Sequence, residues 1–519
     1  MRLICLLALI LGWVPAWAEE DTSTDFLEEE LDTSFYATSY RDNCAVCHGD
    51  NLEGAPQGSP LVGVDLKHGE SVDEIIASIA KGFPQQGMPA WSETMTDEAM
   101  RNLALFISEK RQNLNYGDFN YNAELVIPEQ LIETELHGFT IETVIEGLDP
   151  LPFSITPLPD GSMILVEKKL GMSIISPDGE KSDFITGTPK TYADTYILSV
   201  EQEWGNGWMM ETELHPDYAE NGWIYMQYGE RCEDCNAMSR EMDRPVSMNK
   251  LIRGRIKDGA WVDEEVIWQS DIEFYGPVTD LAGGGRITFD DQGHVFISVG
   301  MKGFDNHTGV QDLRTPWGKI HRVNDDGSIP LDNPFLETEG AMHSIWTYGH
   351  RSPQGLEYRL GVGELWGTEH GPRGGDEINL LLPGKNYGWP LTSKGMNYDG
   401  SPVAYGKKLG IEFDLDDIEQ PVVDLSPSPA VSSFIFYSGK AFPNWQGDIL
   451  VGSLKAQSLY RVRLEGNQAV HKETVISDLA RIRDIEVGSD DMVYLLLENN
   501  HGGLIVRLRP NESSQVASN

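Results

Sequence analysis

The residues with the clearest chemistry in this sequence are Cys44, Cys47 and His48, which fall in one C-x-x-C-H run. In such a run the two thiols can form thioether bonds to the vinyl groups of a haem, and the adjacent imidazole can bind its iron. The pattern therefore predicts one covalently attached c-type haem near the N-terminus, a group that carries single electrons.

The second axial ligand of this haem iron is expected some tens of residues later. Met88 lies in a Gly/Pro turn and offers a thioether, and we favour it as the ligand. Met95 and His68 are the alternatives, since a methionine is often a core residue instead of a ligand. Ligation by His and Met favours a raised reduction potential.

Three clusters in the second half of the chain are rich in Gly, Pro and charged residues. They are Gly349-His350-Arg351-Ser352-Pro353-Gln354-Gly355-Leu356, Glu369-His370-Gly371-Pro372-Arg373-Gly374-Gly375-Asp376-Glu377-Ile378-Asn379 and Asn386-Tyr387-Gly388-Trp389-Pro390. Together with the runs at 214–218, 324–330, 453–455 and 481–484, they resemble, in order, the soluble PQQ-dependent glucose and aldose sugar dehydrogenase family. The resemblance covers roughly residues 140–510 and implies a six-bladed β-propeller that oxidises a sugar or related alcohol.

The cofactor of that family is a planar ortho-quinone with three carboxylates, so its pocket requires fixed cations and hydrogen-bond donors. The resemblance implies that PQQ contacts the following residues: Asn206, Arg351, Ser352, Gln354, Lys455, Arg481 and Arg483. Arg351 is also expected among the catalytic residues. The resemblance further implies a PQQ-linked calcium on the carbonyls of Gly371 and Pro372, and a structural calcium with Glu377 and Tyr387 as ligands.

One expected catalytic group is missing from this chain. Ala282 stands where the family has a histidine base ahead of a Gly-Arg-Leu segment, and alanine cannot accept a proton. Asp280 could replace that base, another group such as His350 or Glu211 could do so, or the propeller binds ligands without turnover. We favour altered catalysis over binding without turnover, because a propeller joined to an electron-transfer haem has a use for its electrons. Asp280 is our candidate for the base, and a turn carboxylate is the alternative interpretation of this residue.

Helical patterns surround the haem motif. They cover Ser34 to Asp42, Ser71 to Lys81, and Thr96 to Lys110, the last of which begins with a Thr cap. Residues 34–113 are therefore predicted to form a small all-α domain, which resembles a class I cytochrome c.

From about residue 138 the sequence changes to short β-type runs separated by Asp-Gly and Asn-Gly turns. Six such windows occur without long helices between them, at residues 158–168, 219–229, 290–300, 363–371, 445–464 and 488–498. The spacing predicts a mainly β propeller domain over residues 138–510. The blade number comes from the resemblance alone.

The N-terminus has the features of a secretory signal. Met1-Arg2 precede an apolar run that ends in an A-x-A site, which predicts a signal peptide over residues 1–18. An uncleaved anchor helix is the alternative, although the run is shorter than the roughly 20 residues of a membrane span. We expect a periplasmic or secreted protein that does not span the membrane, in which Cys232 and Cys235 form a local disulfide.

The formal net charge of −43 argues against nucleic acid as a partner, because nucleic-acid phosphates attract Lys and Arg. Residues 114–137 are predicted to be a linker and residues 511–519 a flexible tail. We hypothesise a quinohaemoprotein dehydrogenase whose electrons leave through the haem to an external acceptor such as another cytochrome. The alternative is a non-catalytic propeller, binding PQQ or another ligand, that is tethered to an electron-transfer cytochrome.

Overall fold

A computed structural model of the chain describes residues 35–114, 124–193, 196–197, 203–277, 280, 283–301 and 309–511. The predicted signal peptide, part of the predicted linker, Ala282 and nearly all of the predicted tail lie outside these residues. Within the described ranges, no helix combines the length and the apolar character needed to cross a bilayer.

The N-terminal part is a small helical domain, and its helices confirm the three predicted from the sequence. They are α1 (Phe35–Asn43), α2 (Ala45–His48), α3 (Val72–Lys81) and α4 (Asp97–Arg111), with a 3-10 turn at Pro84–Gln86. Ser71 begins α3 with a capping box closed by Glu74, and the Thr96 hydroxyl accepts a hydrogen bond from the first turn of α4. Because these caps satisfy the free N–H groups of the first turns, both helices start where the sequence predicts.

The remainder of the described chain is built from short antiparallel strands. In chain order they are β1 (Ile132–Glu133), β2 (Gly138–Leu148), β3 (Pro152–Pro157), β4 (Met163–Glu167), β5 (Gly171–Ile175), β6 (Tyr196–Ile197), β7 (Glu203–Trp204), β8 (Met209–Leu214), β9 (Ile224–Cys232), β10 (Val246–Lys257), β11 (Ala260–Trp268), β12 (Gly284–Phe289), β13 (Val295–Val299), β14 (Lys319–Val323), β15 (Ile345–Tyr348), β16 (Pro353–Arg359), β17 (Glu364–Glu369), β18 (Glu377–Leu380), β19 (Val423–Asp424), β20 (Val431–Phe436), β21 (Ile449–Ser453), β22 (Leu459–Glu465), β23 (Gln468–Ile476), β24 (Arg481–Val487), β25 (Val493–Glu498) and β26 (Gly503–Pro510). Short helices α5 (Tyr218–Asn221), α6 (Ala237–Met242) and α7 (Gly406–Leu409), and 3-10 turns at Ile272–Phe274, Leu415–Asp417 and Pro443–Trp445, lie in the connections.

These strands form six blades, which confirms the predicted six-bladed, mainly β propeller. Blades I to V are β3–β5, β8–β11, β12–β15, β16–β19 and β20–β23, and blade VI combines β24–β26 with β2 and β1. The innermost strands β3, β8, β12, β16, β20 and β24 contact one another in sequence, and β24 contacts β3 again. Because β2 pairs with β26, the two ends of the propeller sequence close the ring within one blade.

A single buried guanidinium joins five of these blades at the propeller axis. Arg286 on β12 is 2% exposed and donates to Glu211 Oε1 at 2.6 Å, Asp484 Oδ1 at 2.7 Å and the Gln354 carbonyl at 2.7 Å. Asp484 in turn accepts a hydrogen bond from the backbone N–H of Ile155 on β3 at 2.9 Å. Removal of one charged side chain would leave the opposite charges buried without a partner, which is strongly destabilising. Because the contacts join different inner strands, the network also holds these strands in register.

Three further glutamates lie on the inner strands of alternate blades. Glu213, Glu357 and Glu486 belong to β8, β16 and β24, and no cationic side chain of the described chain forms an ion pair with them. Burial raises the pKa of Glu213 to about 8, and the neighbouring Glu211 adds to the shift. Burial likewise raises the pKa of Glu357 and Glu486, with further contributions from the surrounding carboxylates.

The variant Glu213→Gln is expected to stabilise the protein in alkaline solution. Since the pKa of Glu213 is raised from 4.5 to about 8 on folding, its favourable contribution is complete below about pH 4.5 and is lost as the pH rises through about 8. The unfolding temperature of the variant should therefore exceed that of the wild type by about 1–3 °C at about pH 9, and match it at about pH 4. Glu339→Gln, at an exposed position, is the control, and equal shifts in both variants would contradict the assignment.

Candidate haem and cofactor sites

The geometry around the C-x-x-C-H run fits a c-type haem. Cys44 and Cys47 are free thiols at the start and within the single turn of α2. His48 Nδ1 donates to the Ser59 carbonyl at 2.8 Å, which fixes the tautomer that leaves Nε2 as the iron ligand. Gly58 allows this close approach, because a Cβ atom there would collide with the Cys47 carbonyl.

The three candidates for the second iron ligand differ in their surroundings. Met88 lies in a turn closed by backbone hydrogen bonds in both directions with Phe83, at 2.9 and 3.2 Å. Met95 packs against the apolar core of the helical domain, and the imidazole of His68 stacks on the Phe83 ring with centroids 4.2 Å apart. Met88 is therefore held in a defined turn without a core role, and its assignment as ligand stays a prediction.

A cluster of buried charges lies where blades I and VI meet. Glu498 accepts hydrogen bonds from Arg481 Nε at 3.0 Å, Arg483 Nε at 2.7 Å and Lys168 Nζ at 3.3 Å. The Lys168 ammonium also lies 5.4 Å from the Trp208 ring centroid. Three cations thus surround one carboxylate, and all four residues are at most 3% exposed.

The excess of positive charge in this cluster alters its ionisation. Burial lowers the pKa of Lys168 to about 7, and the neighbouring Arg483 adds to the shift. Burial alone would raise the pKa of Glu498, but Arg483, Lys168 and Arg481 hold it well below its ordinary value. A buried site with surplus cations fits a polyanionic ligand such as the tricarboxylate PQQ.

Two members of the predicted cofactor set extend this cluster. Arg483 donates to Gln354 Oε1 at 3.2 Å, and Gln354 Nε2 donates to Ser352 Oγ at 3.0 Å. Arg351, which precedes Ser352 in the sequence, donates to the carbonyl of Gly371 at 3.0 Å. The structure thus connects predicted residues from blades IV and VI into one polar chain.

The other predicted cofactor residues lie in loops of blades II and V. Lys455 follows β21, is 7% exposed, and its backbone N–H donates to the Pro429 carbonyl at 3.0 Å. Asn206 precedes β8, is 4% exposed, and its side chain donates to the Pro245 carbonyl at 3.3 Å. Lys168 and Glu498 were not among the residues predicted from the sequence. The available signal was the pair Lys168-Lys169, whose first member ends the strand run at 158–168.

The predicted calcium residues lie on the adjacent loop and strand of blade IV. Glu377 on β18 stands directly opposite Glu369 on β17, and both are buried. Burial raises the pKa of Glu377, and the charge of Glu369 adds to the shift. Adjacent buried carboxylates fit a hard divalent cation.

Backbone carbonyls would have to complete both calcium sites. In the described part of the chain, no three His, Cys, Asp or Glu side chains converge on a metal-sized position. The Tyr387 hydroxyl donates to the Leu380 carbonyl at 2.5 Å, so a ligand from Tyr387 would be its own carbonyl. Gly371 and Pro372 offer only carbonyl oxygens, as the resemblance implies.

The candidate replacements for the missing base are all engaged in hydrogen bonds. Asp280, 2% exposed, accepts from the backbone N–H groups of Gly207 at 2.6 Å and Trp208 at 2.8 Å, and from Ser247 Oγ at 2.7 Å. Asp280 therefore anchors the loop that carries Asn206 and Trp208. Its catalytic role stays a prediction.

The two alternative bases lie in other networks. His350 contacts Thr347 Oγ1 at 2.9 Å and Glu369 Oε2 at 3.3 Å, and its ring stacks on Tyr387. Glu211 accepts from Arg286 and from the Ile287 N–H at the propeller axis. Both side chains thus have structural partners.

The second C-x-x-C pair forms the expected disulfide. Cys232, the last residue of β9, is bonded to Cys235 in the loop that leads to α6. Neither cysteine is therefore available to bind a metal or a second haem.

Comparisons with known proteins match both parts of the chain. Residues 150–506 match the family Glucose / Sorbosone dehydrogenase, and residues 36–107 match Cytochrome C oxidase, cbb3-type, subunit III. The aldose sugar dehydrogenase YliI of Escherichia coli is 32% identical over 369 residues, which cover 70% of this chain and 91% of that protein. Quinoprotein glucose dehydrogenase B of Acinetobacter calcoaceticus is 25% identical, over 73% of this chain and 89% of that protein.

A solved structure gives the same likeness. The crystal structure of the soluble aldose sugar dehydrogenase from Escherichia coli in the apo form has a TM-score of 0.62 and 30% identity. The match covers 72% of this chain and 100% of that one.

Replacement of Met88 by Leu is expected to lower the haem reduction potential, since a thioether ligand stabilises the reduced iron. Axial ligands shift haem potentials over a range of about 0.8 V, so a decrease on the order of 0.1 V is expected. The measurement is a redox titration followed by haem absorbance. Met95→Leu is the matched control, and a decrease confined to that variant would assign the ligand to Met95.

Proposed function

The chain belongs to the glucose/sorbosone dehydrogenase family and carries an N-terminal cytochrome c domain, and we propose that it is a periplasmic quinohaemoprotein dehydrogenase. In this proposal a sugar or related alcohol is oxidised with calcium-bound PQQ, and the electrons leave through the haem. The chain is a PQQ-type sugar dehydrogenase by its relatives. The calcium, the cellular location and the substrate are parts of the proposal.

The observation that carries the proposal is the surplus of buried positive charge around Glu498. Burying Arg481, Arg483 and Lys168 together is costly unless anions compensate them, and all three share the one carboxylate of Glu498. In the proposal, PQQ carboxylates supply the rest. When bound, PQQ provides an electrophilic quinone that accepts two electrons from the substrate.

The residues of the chain have distinct roles in this arrangement. Arg481, Arg483 and Lys168 bind anionic groups, and Gln354 is held in place by Arg483 to donate a hydrogen bond of fixed direction. Arg351 donates to the carbonyl of Gly371, which is one of the carbonyls that would hold the calcium. A substrate hydroxyl proton has to pass to a base, for which Asp280 remains our candidate.

The fusion to a cytochrome explains how a two-electron oxidation of the substrate is coupled to the transfer of single electrons through the haem. A haem tethered to the propeller is present at a high local concentration and replaces a diffusional encounter with a separate cytochrome. An external acceptor such as another cytochrome would then oxidise the haem. The disulfide Cys232–Cys235 and the A-x-A run near the N-terminus support an exported location.

The proposed activity is tested by adding PQQ and Ca²⁺ to the haem-loaded protein, together with a panel of sugars and alcohols. Haem reduction, measured by absorbance, is expected with at least one aldose, and Arg483→Gln should abolish it because PQQ binding loses a buried cation. PQQ binding without reduction of the haem by any substrate would favour the non-catalytic propeller. Absence of both would reject the proposed function.

The affinity for PQQ is expected to fall as the pH rises above about 7. Carboxylates next to Lys168 would raise its pKa from about 7, so the bound state takes up a proton and binding weakens as that proton becomes scarce. Lys168→Met should remove this dependence and lower the affinity at about pH 6 by about tenfold, measured by calorimetric titration of PQQ. The neighbouring Lys169→Met is the control, and an unchanged pH profile in Lys168→Met would contradict the assignment.

Asp280→Asn separates a catalytic role of this carboxylate from its structural one. If Asp280 is the base, turnover should fall by about 10²–10⁴-fold while PQQ affinity stays within about twofold of the wild type. A parallel loss of PQQ affinity and turnover would assign Asp280 to holding the loop at Gly207 and Trp208. Unchanged turnover would eliminate both roles.

A further inference from the structure

Helix α4 of the cytochrome domain lies against the propeller, with a buried ion pair between them. Glu109 and Arg373 are 2% and 3% exposed. Arg373 Nε donates to Glu109 Oε1 at 3.0 Å, and its NH2 group donates to Oε2 at 2.7 Å. The two residues are 264 positions apart in the sequence, so this bidentate pair joins the two domains.

Further contacts of α4 surround this pair. Arg101 Nε donates to the Lys394 carbonyl at 2.6 Å, and its NH2 group donates to Asp424 Oδ2 at 2.7 Å. Met396 of the propeller is fully buried in the apolar core of the cytochrome domain. The interface thus combines a buried ion pair and a buried apolar contact with partly exposed polar contacts of Arg101.

The buried pair reaches the propeller at residues 371–376, which lie in the loop between β17 and β18. Arg373 forms backbone hydrogen bonds in both directions with Met396, at 3.0 and 2.8 Å. A Cβ atom on Gly371 would collide with the Gly374 carbonyl, so the loop folds tightly on itself. A Cβ on Gly374 would lie 3.1 Å from Leu105 of α4, so the loop also lies close to the helix.

The same loop carries the carbonyls that the proposed calcium would use. Gly371 donates its N–H to Asp376 Oδ1 at 3.1 Å, and its carbonyl accepts from Arg351 at 3.0 Å. Arg373 is two residues from Gly371. A change in the position of the Arg373 side chain would therefore be transmitted to the carbonyls through a short, tightly folded backbone.

We propose that Glu109 is a positioning residue for the PQQ-linked calcium, because by binding Arg373 it fixes the conformation of loop 371–376. The haem domain then forms part of the cofactor site as well as receiving its electrons. Calcium binding and domain docking are coupled, so each strengthens the other. This inference rests on the proposed function for the identity of the bound cation, but the control of the loop by Glu109 can be measured without it.

The first test is hydrogen–deuterium exchange of the haem-loaded protein without PQQ or calcium. In Glu109→Gln, peptides containing residues 371–376 should exchange at least about tenfold faster than in the wild type, because one charge of a buried pair is lost. Glu70→Gln is the matched control, since Glu70 pairs with Arg111 on the same helix at 2.5 Å within the cytochrome domain. Equal loop exchange in both variants would overturn the proposal whether or not PQQ binds.

The second test measures Ca²⁺ affinity by calorimetry with PQQ present. Residues that orient metal ligands typically change affinity by about 10–100-fold, and a loss of about tenfold is expected in Glu109→Gln, with an unchanged haem spectrum. The double variant Glu109→Arg/Arg373→Glu, which swaps the two charges, should recover part of the Ca²⁺ affinity and part of the protection of loop 371–376 from hydrogen exchange. If the loop exchanges faster but the Ca²⁺ affinity equals that of the wild type, the role of Glu109 in positioning the calcium is overturned. If the wild type itself binds neither PQQ nor Ca²⁺, the proposed function is rejected instead.

Discussion

The buried guanidinium of Arg286 is the contact on which the arrangement of the propeller depends. Inner strands of a closed ring converge at the axis, and their backbones alone do not fix how far each strand slides along its neighbours. Arg286 with Asp484 and Glu211 sets that register across five blades. Gln354 and Arg483, which adjoin this network, are thereby placed for the cofactor site.

Buried positive and negative charges gather at different places in the propeller. Carboxylates on alternate inner strands gather near Arg286, whereas the cations Lys168, Arg481 and Arg483 gather around Glu498. The chain contains 39 Lys and Arg against 82 Asp and Glu, so the concentration of buried cations in one place runs against its composition. Such a cluster carries an electrostatic cost that an anionic cofactor would offset.

The cytochrome domain is integrated into the propeller and not merely tethered to it. Its last helix contributes Glu109 to a buried pair with Arg373 and shares its apolar core with Met396. A fixed interface of this kind sets one distance between the haem and the cofactor loop. Fixed geometry favours electron transfer over the repeated encounter of separate partners.

The sequence by itself determined the features whose parts are close along the chain. The haem motif consists of five consecutive residues, and the caps of α3 and α4 each involve four. Asp-Gly turns mark the ends of neighbouring strands. Each of these features was therefore predictable from the sequence. Family resemblance supplied the blade number and most of the cofactor residues. Lys168 with Glu498, Arg286 with Asp484, and Glu109 with Arg373 were decided only by the tertiary structure. Their partners are 330, 198 and 264 residues apart, and no local pattern records which distant side chains meet once the ring of blades closes.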